Sequence, residues 1–205
     1  MKLYDSRRAP NPRRVRWLMA EKGLSDIEVV DVDLFGGQHK TAEYLARAGV
    51  PNVPALTMDD GTTITESVAI CRYLEGLYPE PNLFGRDPRE AAIVEMWLRR
   101  AELMVALPLM NAVRHSHPAL AALETQSADL AASSRAAGER GLKLFDARLA
   151  DSPWIGGERV TIADGVLFIG MDFARMVKFV VPEELTHVSR WLAAMRERPS
   201  ASAGT

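Results

Sequence analysis

Hydrophobic and polar positions follow two different rhythms along the chain. Through residue 80, short apolar-rich runs at 2–5 and 27–33 alternate with stretches of helical spacing, as strand and helix do in turn. Runs at 55–58 and 62–64 flank Asp59-Asp60-Gly61, a turn signal that predicts a β-hairpin. Between the first two strands Val15, Leu18, Met19 and Lys22 recur at helical intervals, with Asn11 as candidate N-cap and Pro12 at the first helical position. Gly36-Gly37 breaks the chain before a second helix over about 38–47, and a third is predicted over 67–78, with Val68, Ile70, Leu74 and Leu77 available for burial.

The segment Pro79-Glu-Pro-Asn-Leu-Phe-Gly85 is a stiff polar connector, and the rhythm changes after it. From Pro88 onward only the 3.6-residue period persists, predicting helices at about 88–116, 125–150, 163–179 and 185–197. Thr161-Ile-Ala-Asp164 opens the third of these as a capping box, a folding signal rather than a chemical one. The order is therefore a βαβαββα domain at 1–80 and an all-helical domain at 86–205, with a tail after Arg198 expected to fray.

Composition narrows the function. The 47% hydrophobic content over 205 residues provides for a sizeable core. Twenty-five Lys and Arg against 27 Asp and Glu leave a net charge of −2, which argues against an extended nucleic-acid surface. The cluster Arg7, Arg8, Arg13, Arg14, Arg16 is expected to be a solvated face. A single cysteine, Cys71, excludes an intrachain disulfide framework, points to a reducing compartment and is expected to pack as a small apolar residue. No run is apolar enough to span a bilayer and no secretory core opens the chain, so a cytoplasmic location without membrane attachment is expected. His115 and His117 lie two apart and do not share a helix face, so solvated histidines rather than a metal site are expected.

The stretch richest in chemistry is Gly49-Val-Pro-Asn-Val-Pro-Ala-Leu56, followed by Glu66-Ser67 at the start of a helix. A chain bent by a cis proline after Val53 offers its backbone to an extended peptide, and a helix N-terminus holds a carboxylate. A small peptide ligand suits this pair of features better than a metal or a nucleotide.

Taken in order, Ala9-Pro-Asn-Pro-Arg-Arg-Val15 with Ala20-Glu-Lys-Gly23, Gly37-Gln-His-Lys40, Asn52-Val-Pro-Ala-Leu56, Thr65-Glu-Ser-Val-Ala-Ile70 with Arg72-Tyr-Leu74, and the Thr161 to Asp164 box resemble the glutathione S-transferase superfamily. The match spans nearly the whole chain, with phi-, theta- and nu-like features. It implies a thioredoxin-like N-terminal domain, a helical C-terminal domain and a homodimer. By the resemblance, Val53 pairs with the cysteinyl unit of glutathione and Pro54 is the cis proline. Glu66 and Ser67 grip the γ-glutamyl end, His39 and Lys40 approach the glycine carboxylate, and Asn52 lies beside the peptide. The departure is Ala9, which stands where theta- and phi-like members carry a serine hydroxyl. Nu-like members carry Thr-Pro-Asn there, and only Pro10-Asn11 is kept.

A free thiol with pKa ~8.5 is only about 3% thiolate at pH 7, and a downward shift of about two units raises that to about three quarters. Asn11 is the candidate catalytic group, its amide donating toward sulfur whether or not its oxygen also caps the helix. Ser6 and Arg13 are weaker candidates. The electrophile pocket is expected between the domains, with Trp97, Arg100, Met104 and Leu107 on one helical face, Pro108 able to kink the helix beyond them, and Met171, Phe173 and Met176 opposite. The expected activity is transfer of glutathione to a small hydrophobic electrophile. Glutathione-dependent disulfide or peroxide reduction, and a non-catalytic module binding glutathione or a protein, stay open as alternatives.

Overall fold

Leu3 and Asp5 turn to the buried side of β1 (Lys2–Asp5) while Lys2 faces out, the period-two alternation of a strand. The next strand, β2 (Glu28–Asp31), is largely exposed, and the burial its sequence promises is made by the flanking Ile27 and Val32. β3 (Ala55–Thr57) and β4 (Thr63–Thr65) close the predicted hairpin, and the sheet runs in the order β2-β1-β3-β4. β2 is parallel to β1; β3 is antiparallel to β1 and β4 to β3. Helices α1 (Pro10–Glu21) and α3 (Ser67–Leu77) pack against each other, and Val15, Leu18, Ile70 and Leu74 join Leu3 and Leu56 in the core. The computed structural model describes residues 1–203. It divides into one unit of Met1–Pro81 with the segment starting at Pro199, and a second of Asn82–Arg198.

Several expectations are corrected inside the first unit. Helix α1 starts earlier than predicted: Ala9 is the N-cap and Pro10 the first helical residue, so Asn11 sits inside the first turn. The second helix splits into a 3-10 turn, Gln38–Lys40, and α2 (Ala42–Ala48), because Thr41 interposes its own cap and accepts from the Tyr44 N–H. The buried face of α3 is Ser67, Ile70, Cys71, Leu74 and Glu75, whereas Leu77 is exposed. The arginine cluster is not uniformly solvated: Arg14 is buried, and Arg16 pairs with the buried Asp5 and donates to the Arg7 carbonyl at 2.7 Å. Lys22, at the end of α1, has a fully buried side chain that reaches Glu75 at 2.8 Å and the Tyr78 and Pro81 carbonyls at 2.7 Å each. The tail is ordered as a 3-10 turn, Pro199–Ser202, since Ser200 is bonded to Glu21 and Arg13 donates to the Ala201 carbonyl at 2.8 Å.

The second unit is all helix: α4 (Pro88–Arg100), α5 (Leu107–Ser116), α6 (Ala128–Ala150), α7 (Ile162–Ala174) and α8 (Thr186–Arg196). The predicted 88–116 helix is continuous, but its irregularity precedes Pro108: Ala101–Ala106 is π-helical, with the Leu107 N–H bonded to the Glu102 carbonyl. Pro108 has no N–H for the Met104 carbonyl, so the α ladder is broken there. Helix α6 passes that carbonyl so closely that a Cβ on Gly141 would lie 2.3 Å from the Met104 oxygen. Gly170 of α7 meets the same segment, a Cβ there falling 2.6 Å from Ala106 Cβ.

Candidate functional site

Strand register gathers the predicted peptide-binding residues at one end of the sheet. Tyr4 pairs with Ala55 and Ala55 with Thr65, while Asp5 pairs with Asp31. The chain leaving β1 toward Ala9, the chain leaving β2 toward His39, the chain entering β3 from Pro54 and the chain leaving β4 into Glu66 therefore share that end. Pairing begins at Ala55, so Val53 lies beyond the last rung with an edge to offer.

The Val53–Pro54 peptide is cis, and Pro54 is buried while Asn52 is exposed. Just before it, Tyr44 donates its hydroxyl to the Asn52 carbonyl at 2.6 Å, fixing the loop that leads into β3. Burial pushes the Tyr44 hydroxyl up to about 12, so it remains a donor at any physiological pH. The ring stands edge-on to Tyr4, 6.3 Å between centroids, and Arg47 lies over Tyr4 at 4.5 Å.

At the start of α3, Glu66 adopts φ 66° and ψ 116°, a conformation that costs a non-glycine residue about 1–3 kcal/mol and concentrates at ligand clamps. No side chain caps this helix, and its first internal bond runs from the Ile70 N–H to the Glu66 carbonyl. The N–H groups of Ser67, Val68 and Ala69 thus have no acceptor within the helix, the arrangement that holds a carboxylate. Ser67 is only 6% exposed and accepts from the Arg14 guanidinium at 3.3 Å. Arg14 places a buried positive charge behind that terminus.

The start of α1 is built differently. Pro10 and Pro12 carry no N–H, and the Arg13 N–H turns back to the Ala9 carbonyl. Asn11 alone keeps a first-turn N–H without a helical acceptor. Its side-chain oxygen is shielded and has no hydrogen-bond partner among the described residues, so the amide does not cap the helix. Ala9 itself offers only its backbone, donating to the Ser6 carbonyl at 2.8 Å.

His39 is buried in the Gln38–Lys40 turn, its Nδ1 without a hydrogen-bond partner among the described residues, and Lys40 is exposed beside it. Burial, with Lys40 adding to it, holds the His39 imidazole below its ordinary value. Gln38 ties the turn to the chain leaving β2 through two reciprocal 2.9 Å bonds with Asp33. Cys71 is buried in α3, its thiol pushed up to about 12, and its sulfur donates to the Arg14 carbonyl at 3.7 Å. A group in that state is a packing residue, not a nucleophile.

In the helical unit the expected pocket residues do not form one open wall. Trp97 is 8% exposed, packed edge-on against Phe145 with Arg100 and Arg148 over its ring, and Met171 is 3% exposed within α7. Met104 is 42% exposed, in company with Leu103 and Leu107. The π segment explains the separation: its wider turn shifts the residues after Arg100 around the axis relative to those before it, so a constant 3.6 period misaligns the two faces. His117 accepts from the Ala119 N–H at 3.3 Å and His115 is half-buried, which corrects their reading as solvated.

Family models for the glutathione S-transferase N-terminal domain match residues 3–82 and for its C-terminal domain residues 100–199. Glutathione S-transferase 2 of Saccharomyces cerevisiae is 36% identical over 203 residues, 98% of this chain and 87% of the relative. The chain belongs to the glutathione S-transferase family.

Solved transferases agree in fold. The crystal structure of Gtt2 from Saccharomyces cerevisiae superposes with a TM-score of 0.92 at 34% identity, covering the whole of both chains. A class Gtt2 transferase of Vibrio parahaemolyticus gives 0.86 at 29% identity, covering 100% of this chain and 96% of the other. Two side chains that fix these segments, Arg14 and Tyr44, do not read as site residues from the sequence: Arg14 lies in the Ala9 to Val15 motif but also in an arginine cluster that reads as a solvated face, and Tyr44 carries no motif. The one sequence signal at Tyr44 is its position, three residues after the Thr41 cap. Among the described residues no group of three His, Cys, Asp or Glu is placed to hold a metal, and no helix is long and apolar enough to cross a membrane.

Proposed function

We propose that this transferase binds glutathione along Val53 and Pro54, anchors its γ-glutamyl end at Glu66 and Ser67, and stabilises the thiolate at Asn11 for attack on a small hydrophobic electrophile. Asn52 flanks the peptide, and His39 and Lys40 face its glycine carboxylate. The observation that carries the thiol assignment is the start of α1, where two prolines remove the neighbouring donors and the Asn11 amide is uncommitted. One backbone N–H, one side-chain NH₂ and the positive helix end then act on one sulfur, and the ~2.7 kcal/mol needed for a two-unit shift is of the order such groups supply. The backbone N–H survives any substitution except proline. Exposed Met104 and Leu107, with Arg100 nearby in sequence, are the candidate contacts for the electrophile. Trp97 and Met171 act behind them as packing. A metal-free mechanism, a homodimer and a cytoplasmic location complete the proposal; light scattering giving twice the chain mass tests the dimer.

The ultraviolet thiolate band of bound glutathione, titrated from about pH 5 to 9, tests the assignment. The wild type is expected to titrate near pH 6–7, about two units below free thiol. Asn11→Ala is expected to move the bound thiol back toward ~8.5 and to cut kcat about tenfold or more with little change in glutathione affinity. An unshifted wild-type thiol, or an Asn11→Ala enzyme with unchanged pKa and turnover, overturns it.

A further inference from the structure

The helical unit carries an open pocket of about 600 Å³ at the end of α5, the first turns of α6 and the Arg175–Val177 turn. That volume lies within the range of sites for small organic ligands. Ala112 on one side and Ala128, Ala131 and Ala132 on the other give it short, flat apolar walls suited to a planar ring.

Its polar groups are of two kinds. Arg135 is held in place by Glu139 at 3.1 Å, by the Val177 carbonyl at 3.4 Å and by the Phe179 ring at 5.5 Å. Those bonds engage two of a guanidinium's five N–H donors, so a fixed cation with donors to spare borders the pocket. Set against these is one acceptor. Gln126 spends its NH₂ on the Arg114 and His117 carbonyls, at 2.9 and 2.8 Å, which leaves its Oε1 as an acceptor.

We propose that this pocket binds a small aromatic hydroxycarboxylate, the carboxylate on Arg135, the ring between the alanines and the hydroxyl donating to Gln126 Oε1. None of these residues belongs to the glutathione cradle, so the acid and glutathione are expected to bind together.

The test is calorimetric titration of the full chain with 4-hydroxybenzoate in saturating S-methylglutathione, a thioether that cannot react. One site with Kd of roughly 0.1–1 mM is expected for a ligand of this size. Benzoate, lacking the hydroxyl, is expected to bind several-fold more weakly, and Arg135→Gln to weaken 4-hydroxybenzoate about tenfold or more. Ala132→Trp, at an exposed helical position, is expected to fill the slot and abolish binding with the melting curve and glutathione turnover retained. No binding by the wild type, binding indifferent to both variants, or displacement by S-methylglutathione overturns the proposal.

Discussion

The helix starts at α1 and α7 solve the same electrostatic problem in opposite ways. At α7 the box closes on itself: Asp164, fully buried, accepts from the Thr161 N–H and hydroxyl at 2.9 and 3.0 Å, from the Ile155 N–H at 2.9 Å and from the Trp191 indole at 2.9 Å. Burial pushes its carboxyl up, and those four bonds pull the other way. At α1 the cap residue has no side-chain acceptor, two prolines remove donors, and the Asn11 oxygen has no partner among the described residues. A terminus satisfied by its own chain serves folding; one left unsatisfied at the converging end of a sheet is available to a ligand.

The largest expected effect lies at the satisfied terminus. Asp164→Ala strands the Ile155 N–H and the Trp191 indole in the core, a loss of about 3 kcal/mol or more and a fall in Tm of roughly 10 °C by calorimetry. If the melt barely moves, the contrast between the two termini fails. Tyr44→Phe, which removes the bond to the Asn52 carbonyl, is expected to cost about 1 kcal/mol in urea unfolding and to raise KM for glutathione more than it lowers kcat. Asn11→Ala is expected to alter stability by no more than about 0.5 kcal/mol, because it breaks no bond of the folded chain. A large destabilisation there gives Asn11 a structural duty after all.

The smallest effect is a pH slope. The folded His39 binds its proton less readily than an ordinary imidazole, so the unfolded chain takes up more protons as pH drops below about 6.5. That stability is fully present above this pH and lost on acidification toward the folded value. Tm measured from pH 7.5 to 5.5 is expected to fall less steeply for His39→Gln than for the wild type. Parallel slopes remove His39 from the acid sensitivity of the first unit.

Local signals were legible in the sequence wherever a few neighbouring residues decide the backbone. The Asp59-Asp60-Gly61 hairpin, the Thr161 to Asp164 box and the cis proline after Val53 each rest on such a signal, and each stands where the sequence places it. The start of α1 was misplaced because two prolines fit the first turn equally well, and Pro10 rather than Pro12 takes its first position. The π segment was missed because its causes are spread over three helices: Pro108 breaks the ladder, while Gly141 and Gly170 let α6 and α7 close on the widened turn.

By itself the sequence determined the order of elements, the change from mixed to helical architecture and the family, since periodicity, turn residues and spaced motifs are properties of contiguous chain. Only the tertiary structure decided which charges are buried. Arg14 meets Ser67, Arg16 meets Asp5, and Lys22 meets Glu75 across gaps of 53, 11 and 53 residues, since only folding brings such partners close enough to replace water.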